Sequence, residues 1–279
     1  IGMRSGTISV RGAVQADPHS KIEVAVEHDG KPICVCQSTA QELNQNGVKI
    51  HVPDIKLWWP NLHGEQPVYT TKLTLYNADN AISDVCVKTI GFREITWCHN
   101  PLSDETADCW VLSCNGKQIF IQGANWVPIR PNFADVTENQ YRELLSTYAQ
   151  LGFNLLRVWG GAMLEKECFY DICDELGIMI WQEFPLSSSG IDNYPPTEKN
   201  FIDYMCQVAQ SYVTKRKNHP ALIMWCGGNE LFELTDNSKP VNINHPLIEA
   251  LSDICRQYDP DRRFVAASPS GPTCSAFIE

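Results

Sequence analysis

The sequence predicts a multidomain chain: an immunoglobulin-like β-sandwich over residues 1–97, a linker at 98–117, and over 118–279 the first half of a (β/α)8 barrel. Three observations carry this. Up to Trp97, short β-branched and aromatic runs are separated by turn signals; beyond residue 118, strand and helix patterns alternate; and polar side chains gather at the C-terminal ends of the later strands.

Taken in order, Thr7 to Val14, Lys21 to Val26, Val48 to Ile55, Val68 to Tyr76 and Ala81 to Ile90 read as strands, with Asp29-Gly30, Asn46-Gly47 and Asn77 to Asn80 as turns. Trp58 and Trp59 sit at one end of this unit, either as a sugar platform or as a domain contact. Asn100-Pro101 through Asn115-Gly116 breaks the pattern, which places the boundary there. Gln118 to Asn125 is then an apolar strand. Thr137, with Gln140 three residues on, opens a helix as a capping box, and Gly152 closes it. Asn154 to Trp159 and Ile178 to Glu183 are strands two and three, separated by a helix whose apolar face is Phe169, Ile172, Cys173 and Leu176 and whose stop is Gly177. A helix from Lys199 to Lys215 leads to a strand from Leu222 to Glu230, a helix from Pro246 to Tyr258 and a fifth strand, Phe264 to Ser268. A doubly wound sheet would carry a Gly-rich phosphate loop, and none is present.

A formal charge of -11 and a pI near 5.1 argue against nucleic-acid or anionic-membrane partners, and no run is apolar and long enough to span a bilayer. The 12 cysteines lack paired C-x-x-C spacing and no N-x-S/T sequon occurs, so free thiols are expected rather than zinc or a disulfide framework. His219 and His245, each before a proline, read as helix-boundary residues, and Ser187 to Gly190 as a loop after strand three, either over the substrate or a linker.

The chemistry concentrates in Ile223 to Glu233, IMWCGGNELFE. A buried strand is apolar on both faces and carries polar groups only where it emerges, so Asn229 and Glu230 stand at a mouth. Gly227 and Gly228 leave room for a close approach by a ligand ring or another backbone. Burial beside a second carboxylate would keep such a glutamate protonated, as a general acid requires; pairing with a neighbouring Arg is the plainer alternative. Asn125, Trp126, Arg157, Trp159 and Glu183 lie at the ends of the preceding strands.

GFREI at Gly91 to Ile95, Trp58-Trp59-Pro60 with Gly64 to Pro67, QGANWVP from Gln122, LLRVWGG from Leu155, WQEFP from Trp181 and WCGGNE from Trp225 together resemble glycoside hydrolase family 2. They are most similar to its β-mannosidase and exo-β-glucosaminidase branch, and within it to the plant endo-β-mannosidases of glycoproteins. The resemblance implies a jelly roll, then a sandwich, then a (β/α)8 barrel. Glu230 would be the acid/base, Asn229 would bind a sugar hydroxyl beside the cleaved bond, Arg157 would steady the nucleophile and Trp159 would line the same subsite. Asn125, Trp126 and Glu183 would shape the pocket. Gly-Asn-Glu, rather than the Asp of the glucosaminidases, favours the mannosidase side. No metal and no cofactor are called for.

The resemblance places the nucleophile on barrel strand seven, whereas the sequence stops at Glu279, past strand five. Glu183, on strand three, is not where the resemblance puts that residue. The expectation is therefore a heteromer, with other chains of one precursor carrying the jelly roll, the rest of the barrel and the nucleophile. The substrate expected is an N-glycan or β-mannoside, cut at Man-β-1,4-GlcNAc by a retaining endo-β-mannosidase. An exo-β-mannosidase or exo-β-D-glucosaminidase, and a non-catalytic glycan-binding protein, are the alternatives. Free thiols and absent sequons predict an intracellular, soluble protein, in the cytosol or the vacuole.

Overall fold

The computed structural model describes residues 5–105, 107–188 and 192–271. The N-terminal unit contains β1 (Gly6–Val10), β2 (Lys21–His28), β3 (Lys31–Thr39), a short helix α1 (Ala40–Asn46), β4 (Val48–Val52), β5 (Tyr69–Tyr76) and β6 (Ile82–Ile90). An antiparallel sheet of order β3-β2-β5-β6 faces the pair β1-β4. Alternation buries Ile22, Val24 and Val26 of β2 against Val48, Ile50 and Val52 of β4, as a sandwich requires. The sequence reading had no counterpart for β3 or α1. The first is an edge strand with Pro32 near its start, and the second is a single capped segment: Thr39 Oγ1 accepts from the Glu42 amide at 3.2 Å, and Gly47 ends it at φ 72°.

The expected linker is largely ordered. β7 (Ile95–Cys98), β8 (Val111–Cys114) and β9 (Lys117–Gln118) form an antiparallel meander. The run read as one strand from Gln118 to Asn125 divides between β9 and the first barrel strand, because Ile119 turns back to donate to the Leu112 carbonyl.

Five parallel strands follow in simple sequence order: β10 (Gly123–Trp126), β11 (Leu155–Val158), β12 (Met179–Glu183), β13 (Leu222–Cys226) and, after a small hairpin of β14 (Phe232–Glu233) and β15 (Asp236–Pro240), β16 (Arg263–Val265). Between them lie α2 (Glu138–Gln150), α3 (Glu167–Leu176), α4 (Lys199–Arg216) and α5 (Pro246–Tyr258). Unreversed order is that of a barrel wall, not of a doubly wound sheet. The Thr137–Gln140 capping box forms on both sides, and Gly177 closes α3 in the left-handed region. Among the described residues, β10 and β16 each pair on one edge only.

The sandwich grips the barrel at the N-terminal ends of its strands. Trp58, fully buried, donates its indole N–H to the Asp174 carbonyl at 2.7 Å. Asn61 donates its amide N–H2 to the carbonyls of Ala149 and Phe153 at 2.8 and 2.9 Å, and its backbone N–H to Gly177. Arg93 donates to the carbonyls of Pro220 and Leu222. These carbonyls lie where the helices end and the strands begin, so the domain contact reading of Trp58 holds, and the opposite rim stays open.

Candidate active site

Side-chain alternation along parallel strands in register decides what faces the mouth. Asn125, Arg157 and Trp181 are paired across β10, β11 and β12, with Glu183 two residues further on the same face. Arg157 is the hub. It donates to both oxygens of Glu183 at 3.0 and 3.1 Å, to Asn125 Oδ1 at 2.9 Å and to Asn229 Oδ1 at 2.6 Å, with the Trp181 ring 5.7 Å from its guanidinium.

Glu183 is the base of this hub, not part of the pocket surface. Its side chain is 0% exposed, and the Gly160 amide donates to its Oε2 at 2.7 Å. Burial pushes its carboxyl above the ordinary range, against the opposite pull of Arg157 and Gly160. With both oxygens engaged, it has no face left for substrate. That corrects the expectation that Glu183 contacts the sugar: it holds Arg157 in place.

Trp126 is also displaced from its expected role. The residue after Asn125 points to the other side of the sheet, where it is 2% exposed among Tyr141, Tyr148 and Phe169. Its indole N–H donates at 3.0 Å to Glu165, which also accepts from the Tyr141 hydroxyl. Trp126 therefore anchors the strand end in the helix layer. Trp159 is half-buried, its amide bonded to the Trp126 carbonyl, and its ring occupies the space beside Gly161, where any Cβ would meet it at 2.1 Å.

The strand expected from Leu222 to Glu230 ends at Cys226, and the chain then turns outward. Close approach by backbone explains both glycines: a Cβ on Gly227 would meet the Ala266 carbonyl oxygen at 2.2 Å, and one on Gly228 that of Leu186 at 2.6 Å. Asn229, 7% exposed, accepts from Arg157 through Oδ1 and donates through Nδ2 to Ser187 Oγ at 3.1 Å, and its second amide hydrogen has no partner among the described residues. Glu230 follows at φ 51°, a left-handed conformation that costs a non-glycine residue about 1–3 kcal/mol. Its amide donates to the Ser268 carbonyl at 2.7 Å, and its carboxylate accepts from Ser188 Oγ at 2.7 Å. Sequence reasoning expected a buried glutamate; this one stands exposed, outside the hub.

Ser187 and Ser188 were read as part of a loop that lies over the substrate or serves as a linker, and Ser189 and Gly190 of that loop lie outside the described residues. The signal available was a polar run directly after a strand end. Asp171, Asp174 and His219 form an acid–imidazole cluster, yet Asp174 already accepts from His219 and from the Ala221 amide. It lies on the sandwich side, and His219 is a buried structural residue, consistent with the boundary reading. Every cysteine among the described residues is unpaired.

Residues 108–270 match the model of the glycosyl hydrolase family 2 TIM barrel domain, and residues 4–93 match glycosyl hydrolases family 2. The chain belongs to glycosyl hydrolase family 2. Within this family it is 30% identical over 227 residues to a β-mannosidase of Rattus norvegicus, covering 77% of this chain and 25% of that protein. It is 29% identical over 226 residues to β-mannosidase B of Aspergillus niger, covering 81% of this chain and 26% of the relative. The β-D-mannosidase of Dictyoglomus thermophilum superposes with a TM-score of 0.77 at 27% identity, over 96% of this chain and 33% of that one. The chain thus spans about a quarter of the curated relatives it matches. Its family 2 architecture is the sandwich followed by part of the barrel, and its likeness is to the β-mannosidase branch.

Proposed function

We propose that this chain carries the acid/base of a retaining β-mannosidase that cleaves the Man-β-1,4-GlcNAc linkage of N-glycans in endo fashion. The observation that carries the reading is the placement of Glu230: exposed at the rim, directly after an Asn229 that Arg157 orients from below. Glu230 gives its proton to the glycosidic oxygen as the bond to the anomeric carbon breaks, and an ionised carboxylate about 5–5.5 Å from it attacks that carbon. Glu230 then takes a proton from the water that releases the sugar. Asn229 offers its free amide hydrogen to a hydroxyl of the sugar being cleaved off, and Trp159 and Asn125 flank the same subsite.

The attacking carboxylate is supplied by another chain of the same precursor, which completes the barrel. Among the described residues Glu183 is sealed and fully engaged, which leaves the attacking role to a carboxylate elsewhere. The endo mode and the N-glycan substrate rest on the resemblance of the six motifs to the plant enzymes. Native mass spectrometry of the protein as isolated checks the partner chains; a single polypeptide that cleaves glycans would refute them.

The decisive test is hydrolysis of Man-β-1,4-GlcNAc glycans by the complete assembly. Glu230→Gln is expected to lower turnover by about 10²–10⁴-fold, the usual worth of a positioned acid. Glycan binding without cleavage by the unaltered protein would reverse the reading in favour of a lectin-like role, and release of single terminal mannose only would replace endo by exo action.

A further inference from the structure

We propose that Ser188 is a positioning residue for the acid, its hydroxyl holding one oxygen of Glu230 so that the transferable proton stands on the other. This rests on the assignment of Glu230 as acid/base and extends it to a residue that no motif singles out.

A carboxylate only accepts, so the 2.7 Å contact is a donation from Ser188 Oγ to Glu230 Oε2. With Oε2 occupied by that donor, a proton on Glu230 resides on Oε1. The serine is itself held. Its amide donates to the Asn229 carbonyl at 3.1 Å, residues 187 and 229 form a parallel bridge, and Ser187 Oγ accepts from the Asn229 side chain. Two consecutive serines thus serve two consecutive site residues, one the amide and one the acid.

The need for such a clamp follows from where Glu230 sits. It lies beyond the end of β13, in a left-handed backbone conformation, with an exposed side chain, whereas Arg157, Glu183 and Asn229 are fixed by a shared network. An unrestrained exposed glutamate visits several rotamers, and a general acid must lie within hydrogen-bond reach of the leaving oxygen. During the reaction Ser188 keeps its own proton. The proton that moves is the one on Oε1, which passes to the glycosidic oxygen as that oxygen takes the electron pair of the broken bond.

The test is Ser188→Ala in the complete assembly, read as kcat/KM on two aryl β-mannosides: one with a poor, methylumbelliferyl-type leaving group and one with a dinitrophenyl group that departs without protonation. Loss of one hydrogen bond to a charged group predicts about a tenfold fall on the poor leaving group and less than about twofold on the good one. Ser188→Thr, which keeps the hydroxyl, restores most of the activity. Equal losses on both substrates, or none on the poor one, overturn the proposal while a leaving-group-dependent loss in Glu230→Gln leaves the acid assignment standing. If Glu230→Gln also shows no dependence on the leaving group, both fall together.

Discussion

Glu183 shows how a residue can belong to a site without facing it. Its carboxylate is ionised in order to hold Arg157, yet burial raises its affinity for a proton, and the two demands pull stability and activity apart. The folded chain keeps this proton to higher pH than the unfolded chain, whose value is the ordinary 4.5. The stabilisation it contributes is therefore present in acid and lost as pH rises through the folded value, while Arg157 is secured over the same rise. Denaturation of the wild type and Glu183→Gln from pH 4.5 upward is expected to show the wild type losing stability relative to the variant as pH increases, with glycan cleavage gaining in the wild type. Parallel stability curves would refute a shifted Glu183. The sequence made Glu183, Arg157, Asn229 and Asn125 visible as strand-end residues. That Trp126 turns away was also legible, since neighbours in a strand face opposite sides; the resemblance brought Asn125 and Trp126 forward as a pair and hid the alternation.

At the level of elements, the signals that worked were local and chemical. The Thr137 capping box, the Gly177 stop and the Pro246 start each satisfy a helix end with atoms a few residues away. Strand ends failed because they are set by neighbouring strands. β13 stops at Cys226 because the Gly227 amide turns to the Val265 carbonyl and Asn229 donates to Leu186, partners from β16 and the loop after β12. The tightness of that turn can be measured. A methyl group on Gly227 would sit 2.2 Å from the Ala266 oxygen, so Gly227→Ala should cost about 3 kcal/mol and shift the acid from its place. A urea midpoint within error of the wild type would show that β16 yields freely at Ala266. The edge strand β3 went unread because its apolar residues run together from Ile33 to Cys36 instead of alternating as in its buried neighbour β2.

For the molecule as a whole, the two domains are joined at the face opposite the reaction. Arg93 is the test of this join: Arg93→Ala leaves the Pro220 carbonyl without its donor and the Leu222 carbonyl with Arg262 alone, and should lower stability by about 2 kcal/mol. Proteolysis between the domains, around residues 98–117, should accelerate, and an unchanged cleavage rate would show that Trp58 and Asn61 suffice. The motifs that first drew attention at Trp58 and at Gly91 to Ile95 owe their form to this join, which no periodicity could reveal because the partners are distant in sequence. Every barrel acceptor that Trp58, Asn61 and Arg93 use is a main-chain oxygen: Asp174, Ala149, Phe153, Gly177, Pro220 and Leu222. A clasp that fastens to the backbone is blind to mutation in what it holds. Apart from Glu167, which pairs with Lys88 at 3.5 Å, the helices of the barrel can change side chains without breaking these bonds, whereas a change in Trp58, Asn61 or Arg93 is felt at once, so most of the burden of preserving this architecture falls on the smaller domain.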